Sequence, residues 1–173
     1  MDVQTVVANA LGANQSVFID KALDGLTDAD LATCPIAGAN PIGWTLWHQY
    51  RVEDGLLSNI GNKPQTWVED DWHAKFGMEA NPGQMGMGDT AEQVAAFKPS
   101  VEHLKGYSAA VRAKTLQVLN SLTAEDLDRE IPGPGGQPRK IGDVLGIVML
   151  DHFHHSGQVC YLRGCITPGW APM

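Results

Sequence analysis

The sequence predicts an all-α protein, a four-helix bundle whose second and third helices are joined by a long crossover. Three observations carry this. Four stretches repeat apolar residues close to the 3.6-residue period of a helix with one buried face. No run alternates polar and β-branched residues, so strands are confined to at most a short pair near Ile131. Between the second and third periodic stretches, Gln65 to Asp89 has no sustained period, yet it keeps apolar anchors at Trp67, Trp72, Phe76, Met78, Met85 and Met87. A connection this long either is functional or packs down on the body, and bundles with one long crossover are a known solution.

Taken in order, the first helix is expected from about Val3 to Leu23, with Asp2 as its N-cap. A turn follows at Gly25–Leu31, with room for one short helical turn. Asn40 and Pro41 mark the start of the second helix, Asn as N-cap and Pro at the first helical position, where its missing N–H costs nothing. This helix runs to about Asn59 with an unusually aromatic apolar side that includes Trp44 and Trp47, and Gly61 to Pro64 ends it. Thr90 and Gln93 have capping-box spacing and open the third helix, which runs through Leu119 with a kink expected at Pro99. Leu122-Thr123-Ala124-Glu125-Asp126-Leu127 then repeats the earlier Leu26-Thr27-Asp28-Ala29-Asp30-Leu31 in outline. After the loop at Pro132–Gly136, the last helix is expected from Ile141 to Arg163.

A chain of 173 residues suits one domain, expected to span 1–173. The net charge of -8, from 12 basic and 20 acidic residues, argues against a nucleic-acid partner, because backbone affinity comes from Lys and Arg clusters. Only Arg139-Lys140 pairs two bases in sequence. No apolar run approaches the ~18 residues of a membrane span. Three cysteines without repeated spacing, and an N-terminus without signal-peptide character, lead to the expectation of a cytoplasmic protein with reduced thiols.

Chemistry concentrates late in the chain. Asp151, His152, His154 and His155 fall within five residues of the last helix. Side chains four apart on a helix stack on one face, so Asp151 and His155 can aim at one point, and His152, three from His155, nearly so. In a bundle, a facing helix can add an inward ligand at the same level, and His48 on the second helix is the candidate. Two imidazoles and one carboxylate with open positions serve zinc hydrolases and non-haem iron alike. The Asp-x-x-x-His spacing is common, however, and an ion pair or cap at Asp151 and a core-edge role for His48 are the plain alternatives.

Pro41-Ile42-Gly43-Trp44-Thr45-Leu46-Trp47-His48-Gln49-Tyr50-Arg51-Val52-Glu53-Asp54 and His155-Ser156-Gly157-Gln158-Val159-Cys160-Tyr161-Leu162-Arg163 resemble the two signature stretches of the DinB/YfiT-like superfamily. Trp72-His73-Ala74-Lys75-Phe76-Gly77 and the approach to Thr90 resemble its crossover, so the likeness covers nearly the whole chain. The resemblance implies a four-helix bundle, often a homodimer, with a divalent metal, usually nickel or zinc, on three side chains. Residue by residue, the first ligand maps to His48 and the last to His155. The middle ligand, commonly His, falls on Asp151, with His152 as competitor. His154 points about 100° away from His155. His73 and His103 match no motif and are expected at the surface.

The resemblance also implies chemistry. Members with assigned activity use low-molecular-weight thiols, as S-transferases or isomerases, and a divalent ion lowers the pKa of a bound thiol. The leading expectation is a metal-dependent enzyme acting on a small thiol and an electrophile. Its crossover would shape the electrophile pocket, with Trp44, Trp47 and Tyr50 as candidate lining residues. Two alternatives stand beside it: a non-catalytic, metal-stabilised dimer of the stress response, and a metal-assisted hydrolase with Glu53 as general base.

Overall fold

The computed structural model describes residues 2–172, so the expected 1–173 unit extends one residue beyond it at each end. Helix α1 (Val3–Asn14) passes through a π-helical stretch (Gln15–Ile19) into α2 (Asp20–Leu23); the expected first helix is present, with a bulge. Asp2 caps it, accepting from the Thr5 N–H at 2.8 Å. The short helical turn after it is α3 (Asp28–Ala32). Helix α4 (Ile42–Ile60) begins slightly later than expected. Pro41, extended at ψ 161, is itself the N-cap, and its carbonyl accepts from both the backbone N–H and the hydroxyl of Thr45. Asn40, held out of the α region by the proline after it, stays outside.

The crossover contains two single-turn helices, α5 (Thr66–Glu69) and α6 (Trp72–Lys75). Of its expected anchors, Trp67 is buried, but Met87 is 76% exposed and anchors nothing. The third helix is broken rather than kinked. α7 (Ala91–Ala96) opens with the expected Thr90–Gln93 capping box, and α8 (Val101–Ser121) starts afresh from Ser100, whose hydroxyl accepts from His103 N–H. Pro99 lacks an N–H and pushes Lys98 out of the helical region, which is enough to interrupt the ladder so near an end. Strands β1 (Glu130–Pro132) and β2 (Pro138–Lys140) form the short pair near Ile131, Ile131 opposite Arg139. Helix α9 (Ile141–Ile166) continues past the expected Arg163.

The two Leu-Thr turns are the same device. Thr27 N–H donates to Asp30 Oδ2 at 2.8 Å and Asp30 N–H donates back to Thr27 Oγ1; Thr123 and Asp126 repeat this at 2.9 Å. Each turn follows a long helix and precedes one of the two that carry the candidate site residues, α4 or α9. Those two run antiparallel: His48 meets His155, Glu53 meets His152, and Asn59 donates to the Pro132 carbonyl at 2.7 Å.

Helix α4 lies at the centre, buried along its length except at Leu56 and Asn59. Its apolar residues divide between two clusters. One gathers Ile42, Leu46, Trp47 and Tyr50 with Leu104, Val111, Val159 and Leu162; the other gathers Leu57 and Ile60 with Val7, Leu11, Val118, Ile141 and Val144. Between them, every long helix contributes polar groups to one buried layer. Glu53 takes Thr115 Oγ1–H at 2.7 Å and Arg112 at 3.1 Å, with His152 Nε2 at 2.9 Å; Gln49 donates to His152 Nδ1, and Asn14 to Ser156. Burial alone would raise the Glu53 pKa, but the His152 ring, Arg112 and Thr115 outweigh it and hold the carboxyl below its ordinary value.

On another side of α4, Arg51 and Asp54 tie down the crossover. Arg51 donates to the carbonyls of Gln84 and Pro82 and to Gln65, while its guanidinium stacks over Trp67 at 4.4 Å. Asp54 accepts from the backbone N–H groups of Thr66 and Trp67 and from Tyr107 OH. Crossover backbone that would otherwise be buried without partners is thereby satisfied.

A folded-state pKa below the unfolded value contributes stability above the unfolded pKa, and that contribution disappears as pH falls through the folded one. Glu53→Gln is therefore expected to cost about 3–5 kcal/mol at neutral pH, the penalty for leaving a buried charge network unbalanced. In urea melts from pH 7 to pH 3 the gap to the native chain should narrow with acid. A neutral substitution, or a gap that widens with acid, would contradict the layer as described.

Candidate metal centre

His48, Asp151 and His155 come together as the sequence placed them. Each offers one ligand atom, and the three atoms lie within 4.8 Å of one another. Asp151 Oδ1 is 3.4 Å from His155 Nε2 and 3.9 Å from His48 Nε2, and the two rings meet edge to face with centroids 4.9 Å apart. The group lies where α4 and α9 cross, one face of α9 away from the polar layer.

Each imidazole is set by its other nitrogen. His48 Nδ1–H donates to the Met85 carbonyl, delivered by the crossover, and His155 Nδ1–H donates to Gln158 Oε1 at 2.7 Å. Carbonyl oxygens only accept, so both rings carry their proton on Nδ1 and turn an Nε2 lone pair toward the centre, the arrangement that orients metal-binding histidines. Gln158 in turn donates its amide N–H to His154 Nε2 at 3.1 Å. The Trp44 indole stacks on His48 at 5.1 Å and 7°, and its N–H donates to Asp89 Oδ2 at 3.0 Å. Gly86 permits this approach: its φ is +86°, and a Cβ there would sit 2.6 Å from Trp44.

Asp151 Oδ2 is buried without a hydrogen-bond partner. Its other oxygen, Oδ1, is the one that faces the two Nε2 atoms, and a buried carboxylate with an unpartnered oxygen beside two Nε2 lone pairs fits a cation. No fourth His, Cys, Asp or Glu joins the group among the described residues. Three protein ligands leave room for further ones. For His155, burial pulls the pKa down, but Asp151 and Gln158 more than offset it and the net shift is upward.

His152 is not a competitor. It is 0% exposed, turned about 100° around α9 from Asp151, and engaged by Glu53 and Gln49. Glu53, the candidate base for hydrolysis, is 1% exposed with its oxygens occupied, so it cannot serve that role. Of the expected lining residues only Trp44 stands beside the centre. Trp47 packs between Trp67 and Phe97, and Tyr50 is buried against Tyr107. His73 and His103 are half-buried against Trp67 and Phe76 rather than open at the surface. Sequence reasoning missed two orienting groups. Gln158, three residues after His155 on the same face, was legible; the Met85 carbonyl, being backbone, carries no residue signal.

An all-α bundle with two histidines and an aspartate gathered between its second and last long helices defines a protein that can hold a metal ion. A sequence model of the DinB superfamily matches residues 19–159, and the chain belongs to that superfamily. It is also similar to the crystal structure of a conserved protein from Enterococcus faecalis. The TM-score is 0.84 at 24% identity, over 96% of this chain and 98% of that one, a likeness of fold. A search of curated proteins finds no match. None of the described helices is long and apolar enough to cross a membrane.

His48→Ala, Asp151→Ala and His155→Ala are each expected to lower bound divalent metal, measured by elemental analysis after dialysis, with the fold retained by circular dichroism. His152→Ala should do the reverse, keeping metal affinity within a fewfold while costing about 3–5 kcal/mol in denaturant melts, because it strands Glu53 in the core. Metal loss in His152→Ala without loss of stability would mean the two faces of α9 are misassigned.

Metal and proton compete for the His155 lone pair. Because its pKa lies above the ordinary 6.5, affinity should begin to fall at a higher pH than for an unperturbed imidazole and continue falling as acid is added. In the metal-free protein the raised pKa works the other way: its stabilising contribution is present at low pH and is lost as pH rises through it. Chelator competition titrations across pH 5–8 would read the first effect, and a flat profile would exclude imidazole coordination.

Proposed function

We propose that this chain is a divalent-metal-dependent enzyme that uses a low-molecular-weight thiol, of S-transferase or isomerase type, with nickel or zinc as the metal and a homodimer as the working form. The observation that carries the reading is the three-residue centre itself. It is partly buried, oriented through both histidine Nδ1 atoms, and left open by its own ligand count. His48, Asp151 and His155 would hold the ion. When bound, it supplies Lewis acidity that lowers the pKa of a thiol, which makes thiolate available at neutral pH.

The chain's own groups do the rest. Met85 and Gln158 fix the imidazole rings, so little reorganisation remains when the ion and thiol bind. Trp44 covers one face of His48 and keeps water from that side. With Glu53 committed to the polar layer, the hydrolase alternative loses its base. The non-catalytic alternative calls for a closed centre, and no fourth protein ligand closes this one among the described residues.

The test is conjugation of a small thiol to chlorodinitrobenzene by metal-loaded protein. Activity is expected to require metal, to disappear on chelation, and to fall by at least about 100-fold in His48→Ala, because losing a ligand costs more than the roughly 10–100-fold that losing an orienting partner costs. A rate indifferent to chelation, or equal in His48→Ala, would reject the thiol-enzyme reading.

A further inference from the structure

A cleft of about 300 Å³ lies about one helical turn from the metal centre, toward the N-terminal end of α4 and the C-terminal end of α9. Two of its walls come from the turns next to the centre. Thr45 lies one turn before His48 on α4, and Gln158 is the residue that holds the His155 ring. Asn40, Tyr161, Leu162 and the backbone around Gly38 complete it. None of the lining side chains carries a charge. A second cleft shares Gly38, Ala39 and Asn40 and adds a single charged side chain, the acid Asp89.

The bases nearest in the chain are committed elsewhere. Arg163, on α9, is 8% exposed and bonds the Asp24 carbonyl and Thr167; Arg51, on α4, is fully buried in the crossover anchor. The net charge of -8 adds no compensating field. A divalent ion with two neutral imidazoles and one carboxylate keeps a single positive charge, which one thiolate cancels. Any further anionic group on the ligand would lie in a partly enclosed cleft with no cation on its walls, and with the acid Asp89 in the cleft that adjoins it, so its desolvation would go uncompensated.

The geometry points to a specificity rule: the thiol that occupies this cleft has an uncharged, hydroxyl- or amide-bearing body, and carboxylate-bearing thiols are excluded. Asn40, Gln158 and Tyr161 offer amide and hydroxyl groups for such a body. The rule rests on the thiol reading given under Proposed function and adds the class of thiol to it.

The test uses two thiols of equal length, mercaptohexanol and mercaptohexanoate, whose tails are too long to close a small chelate ring on the metal. Each is titrated calorimetrically into the full-length, metal-loaded protein, into its His48→Ala variant as background, and into Asn40→Lys, which places a cation on an exposed wall without touching a ligand. Mercaptohexanol is expected to bind the native protein at least about tenfold more tightly than mercaptohexanoate, with the preference shrinking severalfold or reversing in Asn40→Lys at unchanged metal content. Equal or tighter binding of mercaptohexanoate to the native protein would overturn the rule and leave the thiol reading standing. A preference unchanged in Asn40→Lys would also overturn it, because the tail would then lie outside this cleft. If neither thiol binds above the His48→Ala background, the thiol reading itself fails, and this rule with it.

Discussion

Helix α4 is buried on nearly all sides, and that constraint organises the molecule. A helix in such a place is normally apolar all round. This one carries Thr45, His48, Gln49, Arg51, Glu53, Asp54 and Ser58, and each buried polar group needs a partner or costs stability. The partners differ by direction around the helix. Arg51 and Asp54 find theirs in the crossover backbone and Tyr107. Glu53 finds its own in α8 and α9. His48 is left facing Asp151 and His155, with its second nitrogen on Met85.

These three solutions support one another. The Glu53–His152 contact joins α4 to α9 at one level and opposes any slip between them, so the register that brings His48 to Asp151 and His155 is held from the core side. Arg51, by binding the Pro82 and Gln84 carbonyls, brings the following residue, Met85, to His48. Gly86 then lets the backbone pass against Trp44, where any side chain would collide. The centre's orientation thus depends on the crossover as much as on the two helices that carry its three side chains. Neither the clusters nor the layer alone would give it.

Much was legible in the sequence because it is set locally. Helical periods, the Asp2 cap, the Thr90–Gln93 box and the Leu-Thr turns depend on residues within four positions of one another, and all are found. The Asp151–His155 pairing is of the same kind, a consequence of helix pitch. The misses arose where a neighbour's effect exceeded the local rule. Pro99 broke a helix expected only to kink, and Pro41 capped a helix it was expected to enter. Met87 was an apolar residue with no face to cover.

Tertiary structure decided what pitch and composition leave open. Asp151 and His152 are adjacent and both competent to bind metal, and nothing within α9 chooses between them. The choice is made by Glu53 and Gln49 across the core, which take His152 and leave Asp151 with Oδ1 toward the two histidines and Oδ2 without a hydrogen-bond partner. The same cross-core contacts withdrew Glu53 from any chemistry at the centre, and aromatic packing withdrew Trp47 and Tyr50 from its lining. The sequence by itself determined which residues could share a helical face; which face meets which partner is settled only when the helices pack, because burial assigns each polar group the partner nearest in space.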